Sequence, residues 1–309
     1  MSMTSPIPRG PDEAAIAKAI DALPTLPIVA LQIGEVIHSK NVSVKQIAAI
    51  LETDPSTSAK LLRLVNSPYF GIPGGVSDVA RAIPFVGFNT LYQLVLGVSV
   101  LEALDVPGGA RSLWLHSLTV ATAARELAEE LKCPDTGACF TAGLLHDMGK
   151  IAIAKVAPDK LALAAAAVQN EGITMQEAER RYDLAPHDRI GARLAKQWRF
   201  PANLATPIEQ HHGIHKPGVR DRLAPNLRTI TEIVTAADYV AHACAETFGD
   251  VHSHAESDPE TAEMLDRNGY AGEKLQQLCS RTLKQLEKSK VFLTVLENSA
   301  SAGPAPKAS

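Results

Sequence analysis

Residues 111–132 read RSLWLHSLTVATAARELAEELK, and residues 135–150 read DTGACFTAGLLHDMGK. In the first stretch Leu113, His116, Val120, Leu127 and Leu131 recur at helical spacing, which sets an imidazole into the apolar stripe of an amphipathic helix. The second stretch ends an apolar run on adjacent His146 and Asp147, with Gly149 and Lys150 just beyond. An apolar helix end is a costly place for an imidazole beside a carboxylate, because buried polar groups must find partners. The pair is either part of a metal ligand set or a core histidine next to a helix-terminal aspartate.

Working outward, nearly every segment keeps the helical period, and no run alternates convincingly as a strand would. This predicts an all-α fold, a multi-helix bundle with an N-terminal helical subdomain. Residues 42–71, VSVKQIAAILETDPSTSAKLLRLVNSPYFG, read as two helices. Ile47, Ile50 and Leu51 face inward on the first, and Leu61, Leu62 and Val65 on the second, which begins after the Asp54-Pro55 cap. SDVARAIPFVGFNTLYQLVLGVSVLEAL supplies two more helices. The Pro-Gly-Gly at 107–109 is the first plausible boundary within the folded chain. The expected divisions are a disordered arm (1–10), an N-terminal helical subdomain (11–106), a helical core (107–248), a helical extension (249–297) and a disordered tail (298–309).

Composition narrows the class. The chain has 309 residues, 46% of them hydrophobic, enough for one large or two smaller domains with a sizeable core. Thirty basic residues against 34 acidic ones give a net charge of −4, which predicts no broad polyanion-binding surface. No secretory leader is visible, and the apolar run LYQLVLGVSVLEAL is broken by Gln93 and Glu102. The expected location is cytoplasmic, with no membrane partner. Cys133, Cys139, Cys244 and Cys279 form no C-x-x-C and read as buried thiols.

Unusual polar residues recur on inner faces or at ends of separate helices. His187, Gly191, Leu194 and Trp198 share one face, and Gly191 would let another backbone approach there. His211 and His212 close the helix that follows Pro201, and Asp238 shares a stripe with Ile230, Val234 and Ala241. Taken singly, a histidine on such a stripe is usually a hydrogen-bonded core residue, and Asp238 alone could cap a helix or pair with an arginine. His215 reads as part of a solvated loop, and His38, His242, His252 and His254 as surface residues. Jointly, His116, His146, Asp147, His187, His211, His212 and Asp238 offer imidazole nitrogens and carboxylate oxygens of the kind that hold first-row divalent metals. One metal rarely uses seven such groups, whereas two metals about 3.5–4 Å apart can share an aspartate and use them all.

At these residues the chain resembles the HD domain phosphohydrolase superfamily, whose H…HD…D pattern is matched by His116, His146, Asp147 and Asp238. It is most similar to the HDOD (HD-related output domain) family, through ALPTLP, LETDPSTSAKLLRLVNSPYFG, AIPFVGFNTLYQLVLG and HDRIGARLAKQWRFP…IEQHH. The resemblance runs from about Asp21 to His212 and implies an HD-like bundle in a bacterial signalling protein. Many members of the family have lost their HD residues, and this chain keeps them. HDMGK also resembles the HD-GYP branch, which cleaves cyclic di-GMP. His116, His146, Asp147, Lys150, His187, His211, His212 and Asp238 fill that branch's set in order. Two departures stand out: HHGIHKPGVRDRL lacks the Glu and the GYP that follow HH there, and Ser112 stands where some members place a glutamate. A third metal is therefore not expected.

The roles that follow make Asp147 the bridge between two metals. His116, His146 and Asp238 complete one shell and His187, His211 and His212 the other, with iron or manganese ahead of zinc or nickel. Asp147 and Lys150 are the expected catalytic pair, Lys150 as a point charge at the site's rim for a phosphate oxygen. A lysine near a helix C-terminus is also favoured by the dipole alone. The leading expectation is a phosphohydrolase acting on a nucleotide-like phosphoester. The alternative is a catalytically silent output module that binds a signalling partner. A helix-turn-helix DNA reader is the weakest reading, since its recognition helix would offer only Lys60 and Arg63.

Overall fold

The structure is a computed structural model that describes residues 13–37, 39, 41–104, 106, 111–248, 259–267, 269–291 and 294. Among them every regular element is a helix, as the periodicity predicts. The N-terminal half contains α1 (Glu13–Asp21), α2 (Ile28–Val36), α3 (Val44–Glu52), α4 (Pro55–Val65), α5 (Val79–Val86) and α6 (Phe88–Ala103). There follow α7 (Arg111–Glu130), α8 (Thr136–Leu145), α9 (Met148–Val156), α10 (Pro158–Glu171), α11 (Met175–Arg181), α12 (His187–Gln197) and α13 (Ala202–Gln210). A short α14 (Val219–Arg222), a long α15 (Pro225–Phe248), α16 (Pro259–Arg267) and α17 (Glu273–Ser289) complete the set. The expected arm at 1–10, the boundary at 107–109 and the tail at 298–309 lie outside the described residues.

Local chemistry explains the helix starts. Ser43 accepts from the Gln46 N–H at 3.2 Å, Asp54 from Thr57 at 3.0 Å and Asp78 from Arg81 at 2.9 Å. Each satisfies a backbone donor that its helix leaves without a partner. The inward faces differ slightly from the simple period. Ile47 and Leu51 are buried on α3 while Ile50 is half-buried, and Ala48 takes the inner place beside them. On α4 the buried residues are Leu61, Leu64 and Val65, with Leu62 half-buried; Lys60 ion-pairs with Glu102 of α6. Leu131 falls past the end of α7 and is exposed, because the chain turns there through Lys132 at a φ of +55°.

The apolar run of α6 is core. That helix is buried along nearly its whole length and packs on α2, α4, α5 and α8. No single helix among the described residues is long and apolar enough to cross a membrane. Cys139, Cys244 and Cys279 are buried thiols, and Cys133 is half-buried. Around the centre, α7 packs on α8, α15 and α17, while α13 packs on α8, α12 and α15.

Helix α9 meets α12 at a contact that only glycine allows. A Cβ on Gly149 would lie 1.9 Å from the His187 carbonyl oxygen and 3.0 Å from the Gly191 nitrogen. The close backbone approach is thus required at Gly149 and not at Gly191, whose missing side chain instead makes room for Ile208 of α13, 2.7 Å from where its Cβ would lie. The approach at Gly149 brings His187 against the turn that carries Asp147. Because both colliding atoms are backbone, the site cannot relax by moving a side chain. Gly149→Ala should destabilise the protein by about 3 kcal/mol, measured by urea unfolding, near the upper end of what overpacking costs.

Candidate metal centre

The centre forms where the chain breaks between α8 and α9. His146 ends α8, and Asp147 precedes α9 with φ −97° and ψ 16°, so the two side chains leave the helix axis at its change of direction. Helix α7 contributes His116, the first position of α12 contributes His187, and the end of α13 contributes His211 and His212. Helix α15 contributes Asp238. The seven residues singled out from the sequence therefore come from three helices, α7, α12 and α15, and from the α8–α9 and post-α13 turns to one place.

Asp147 divides them into two sets. Its Oδ2 lies 3.4 Å from His146 Nε2 and 3.7 Å from His116 Nε2. Its Oδ1 lies 3.3 Å from His187 Nε2 and 3.8 Å from His211 Nε2. On the first side, Asp238 Oδ1 is 3.0 Å from His116 Nε2 and 3.7 Å from His146 Nε2. On the second, His212 Nε2 stands 3.1 Å from His187 Nε2. Lys150, one turn along α9, puts its Nζ 2.9 Å from Asp147 Oδ2 with only 9% of its side chain exposed. It is thus a buried charge beside the Asp147 carboxylate.

The far sides of the rings are tied down. His146 Nδ1 is 2.8 Å from the Gly143 carbonyl, and His211 Nδ1 is 3.0 Å from that of Ile208. His187 Nδ1 is 2.7 Å from Glu179 Oε1 of α11. A carbonyl or carboxylate at Nδ1 fixes the tautomer and turns the Nε2 lone pair inward, as in metal-ligating histidines. Inside the cluster, His146 Nε2, His211 Nε2 and Asp147 Oδ1 are buried and make no hydrogen bond. A buried polar atom left without a partner costs about 1–3 kcal/mol, so an inner set of them fits a divalent cation that would satisfy all at once.

Electrostatics agrees with that donor set. Burial pushes the His146, His211 and His212 pKa values down, and neighbouring rings add to the effect, so these imidazoles stay neutral as ligands must. Burial opposes ionisation of Asp147, but His146, Lys150, His187 and His116 together hold its carboxyl well below the usual range. Burial also works against the Asp238 carboxylate, and His242, His116 and His146 outweigh it. At His187 burial and Lys150 resist protonation, yet Glu179 and Asp147 lift its pKa.

Two residues escaped the sequence reading. Glu179 is fully buried and orients His187; eight positions upstream and on another helix, it carried no spacing signal. His242 is not a surface residue. Its side chain is 14% exposed and its Nε2 is 3.4 Å from Asp238 Oδ1, one turn earlier on α15. The i, i+4 spacing from Asp238 was the available signal. His215 is half-buried and pairs with Thr261 of α16 at 3.0 Å, so the loop after His212 is less solvated than its composition suggests.

Comparisons with known proteins place this chain in a family. A curated relative, an uncharacterized protein of Treponema pallidum (strain Nichols), is 28% identical over 222 residues, covering 70% of this chain and 42% of that protein. The chain therefore spans less than half of that relative's length. An HDOD domain protein of unknown function from Geobacter sulfurreducens matches with a TM-score of 0.64 at 23% identity, over 94% of this chain and 97% of that one. A candidate phosphohydrolase from Shewanella amazonensis SB2B matches with a TM-score of 0.67 at 25% identity, over 92% and 98% of the two chains. The HDOD domain family model matches residues 23–214, most of the chain and the frame that holds His116 through His212, and the chain belongs to that family.

Proposed function

We propose that this HDOD protein is a metal-dependent phosphohydrolase of bacterial signalling, acting in the cytoplasm on a nucleotide-like phosphoester. The observation that carries the reading is Asp147, a buried carboxylate with one oxygen toward His116 and His146 and the other toward His187 and His211. Asp238 would complete the first metal's shell and His212 the second's. The Shewanella relative, described as a candidate phosphohydrolase, supports the reaction class. The lack of Glu and GYP after His211-His212 argues against reading the substrate as cyclic di-GMP.

Divalent iron or manganese held there supplies Lewis acidity toward a phosphoryl oxygen and lowers the pKa of a bound water. The chain's own groups set the conditions for that chemistry. Glu179 holds the His187 ring in one orientation, and the carbonyls of Gly143 and Ile208 do the same for His146 and His211. Lys150 balances the negative charge of Asp147 and offers a cation to an incoming phosphate. In this reading residues 107–248 carry the chemistry; partner binding by the N-terminal helices belongs to the alternative, a silent output module.

Anaerobically purified protein should bind about two metals per chain, by elemental analysis, and Asp147→Ala should lose both. Protein that stays metal-free in excess manganese and iron would end the proposal. Glu179→Gln should weaken metal binding by about 10–100-fold through loss of ring orientation. In a screen of cyclic mono- and dinucleotides, Lys150→Met should keep its metals and lose about 10²-fold in kcat/KM, the scale of one lost charge-stabilising donor. Metal binding without turnover of any phosphoester would favour the silent output module.

A further inference from the structure

We infer that His242 is an additional protein ligand of the metal on the Asp238 side, so that the two metals of the proposed centre are unequal. The inference rests on the metal-binding reading above and adds to it a residue outside the seven. His242 follows Asp238 by one turn of α15, which places both side chains on the same inner face. Its ring centroid lies 4.8 Å from that of His116 at an interplanar angle of 37°. Three Nε2 atoms approach the same oxygen, Asp238 Oδ1: His116 at 3.0 Å, His242 at 3.4 Å and His146 at 3.7 Å. The ligating atoms of His116, Asp238 and His242 all lie within 4.8 Å of one another.

A core histidine without a ligand role would be expected to hydrogen-bond through at least one nitrogen. Both nitrogens of His242 are buried and neither makes a hydrogen bond. Simple pairing with Asp238 does not account for this, because the 3.4 Å approach is not a hydrogen bond either. A cation between the ring and the carboxylate satisfies both.

The consequence concerns the division of labour. The Asp238 side would draw on His116, His146, Asp147, Asp238 and His242, and the other side on Asp147, His187, His211 and His212. Metals with more protein ligands have fewer positions for water or substrate, and open positions mark the catalytic metal. The His187 side would then be the position with more room for a phosphoester oxygen or a water, and His116, His146, Asp238 and His242 would make the Asp238 side the tighter, anchoring position.

Cobalt(II) provides a probe that reads ligation without turnover. Wild type, His242→Ala, His242→Glu and, as a control, His215→Ala would be loaded with cobalt. Each would be followed by titration, visible d–d absorption and the count of paramagnetically shifted imidazole N–H resonances. Wild type should take up cobalt at two sites. His242→Ala should lose one shifted N–H resonance, change the d–d spectrum and weaken one site by about 100-fold or more, beyond the effect of losing an outer-shell partner. His242→Glu, which retains a ligating oxygen, should recover the affinity but not the resonance, and it stands in should the alanine variant fail to fold by circular dichroism. If wild type binds two cobalt ions and both affinities and the spectrum survive in His242→Ala, the ligand assignment is overturned and the phosphohydrolase reading stands. If wild type binds none, both fall.

Discussion

A carboxylate buried at the break between α8 and α9 is the constraint on which the centre depends. Asp147 is 1% exposed and ionised, a state that the protein interior penalises heavily unless opposite charge or strong hydrogen-bond donors surround it. The surrounding groups come from α7, α9, α12 and the end of α13, so these helices can converge only in an arrangement that keeps the carboxylate company. The Gly149–Gly191 contact serves the same end. Without a side chain on Gly149, α12 comes close enough for His187 to face Asp147 Oδ1.

The ring of partners around Asp147 is prepared in advance of any ligand. Nδ1 contacts on His146, His187 and His211 hold the rings with Nε2 inward. Burial keeps most of them neutral. A cation entering such a site would cost little ordering entropy, because these side chains are already held by the core that packs behind them. Lys150 supplies the one lysine or arginine side chain in direct contact with the Asp147 carboxylate among the described residues, which keeps the local charge from becoming strongly negative.

The frame and the centre are physically separable. Helices α3 to α5 carry sequence fragments that mark the family, and their buried faces serve packing, yet none of them donates a residue to the centre. Helix α6 joins the two halves through its contact with α8, the helix that ends on His146. The packing of α3 to α5 therefore draws on none of the residues of the centre. Retention of the full set is information about this chain's site, over and above its membership.

How much was legible in the amino-acid order follows from the range of the forces involved. Helical period and caps are local, so the all-α class, α3 and α4, and the helix ending at His211 could be read directly. Residue chemistry is local too, and an imidazole or carboxylate on an apolar stripe draws attention wherever it falls. Hence His116, His146, Asp147, His187, His211, His212 and Asp238 could be named before their positions were known. The chain order could not say which Asp147 oxygen faces which histidines, that Lys150 is buried against Asp147, or that Glu179 reaches His187 from another helix. Nor could it raise His242 from the surface, although its spacing from Asp238 was in plain view. Those facts depend on where helices cross, and crossings are decided by the packing of many side chains far apart in the chain.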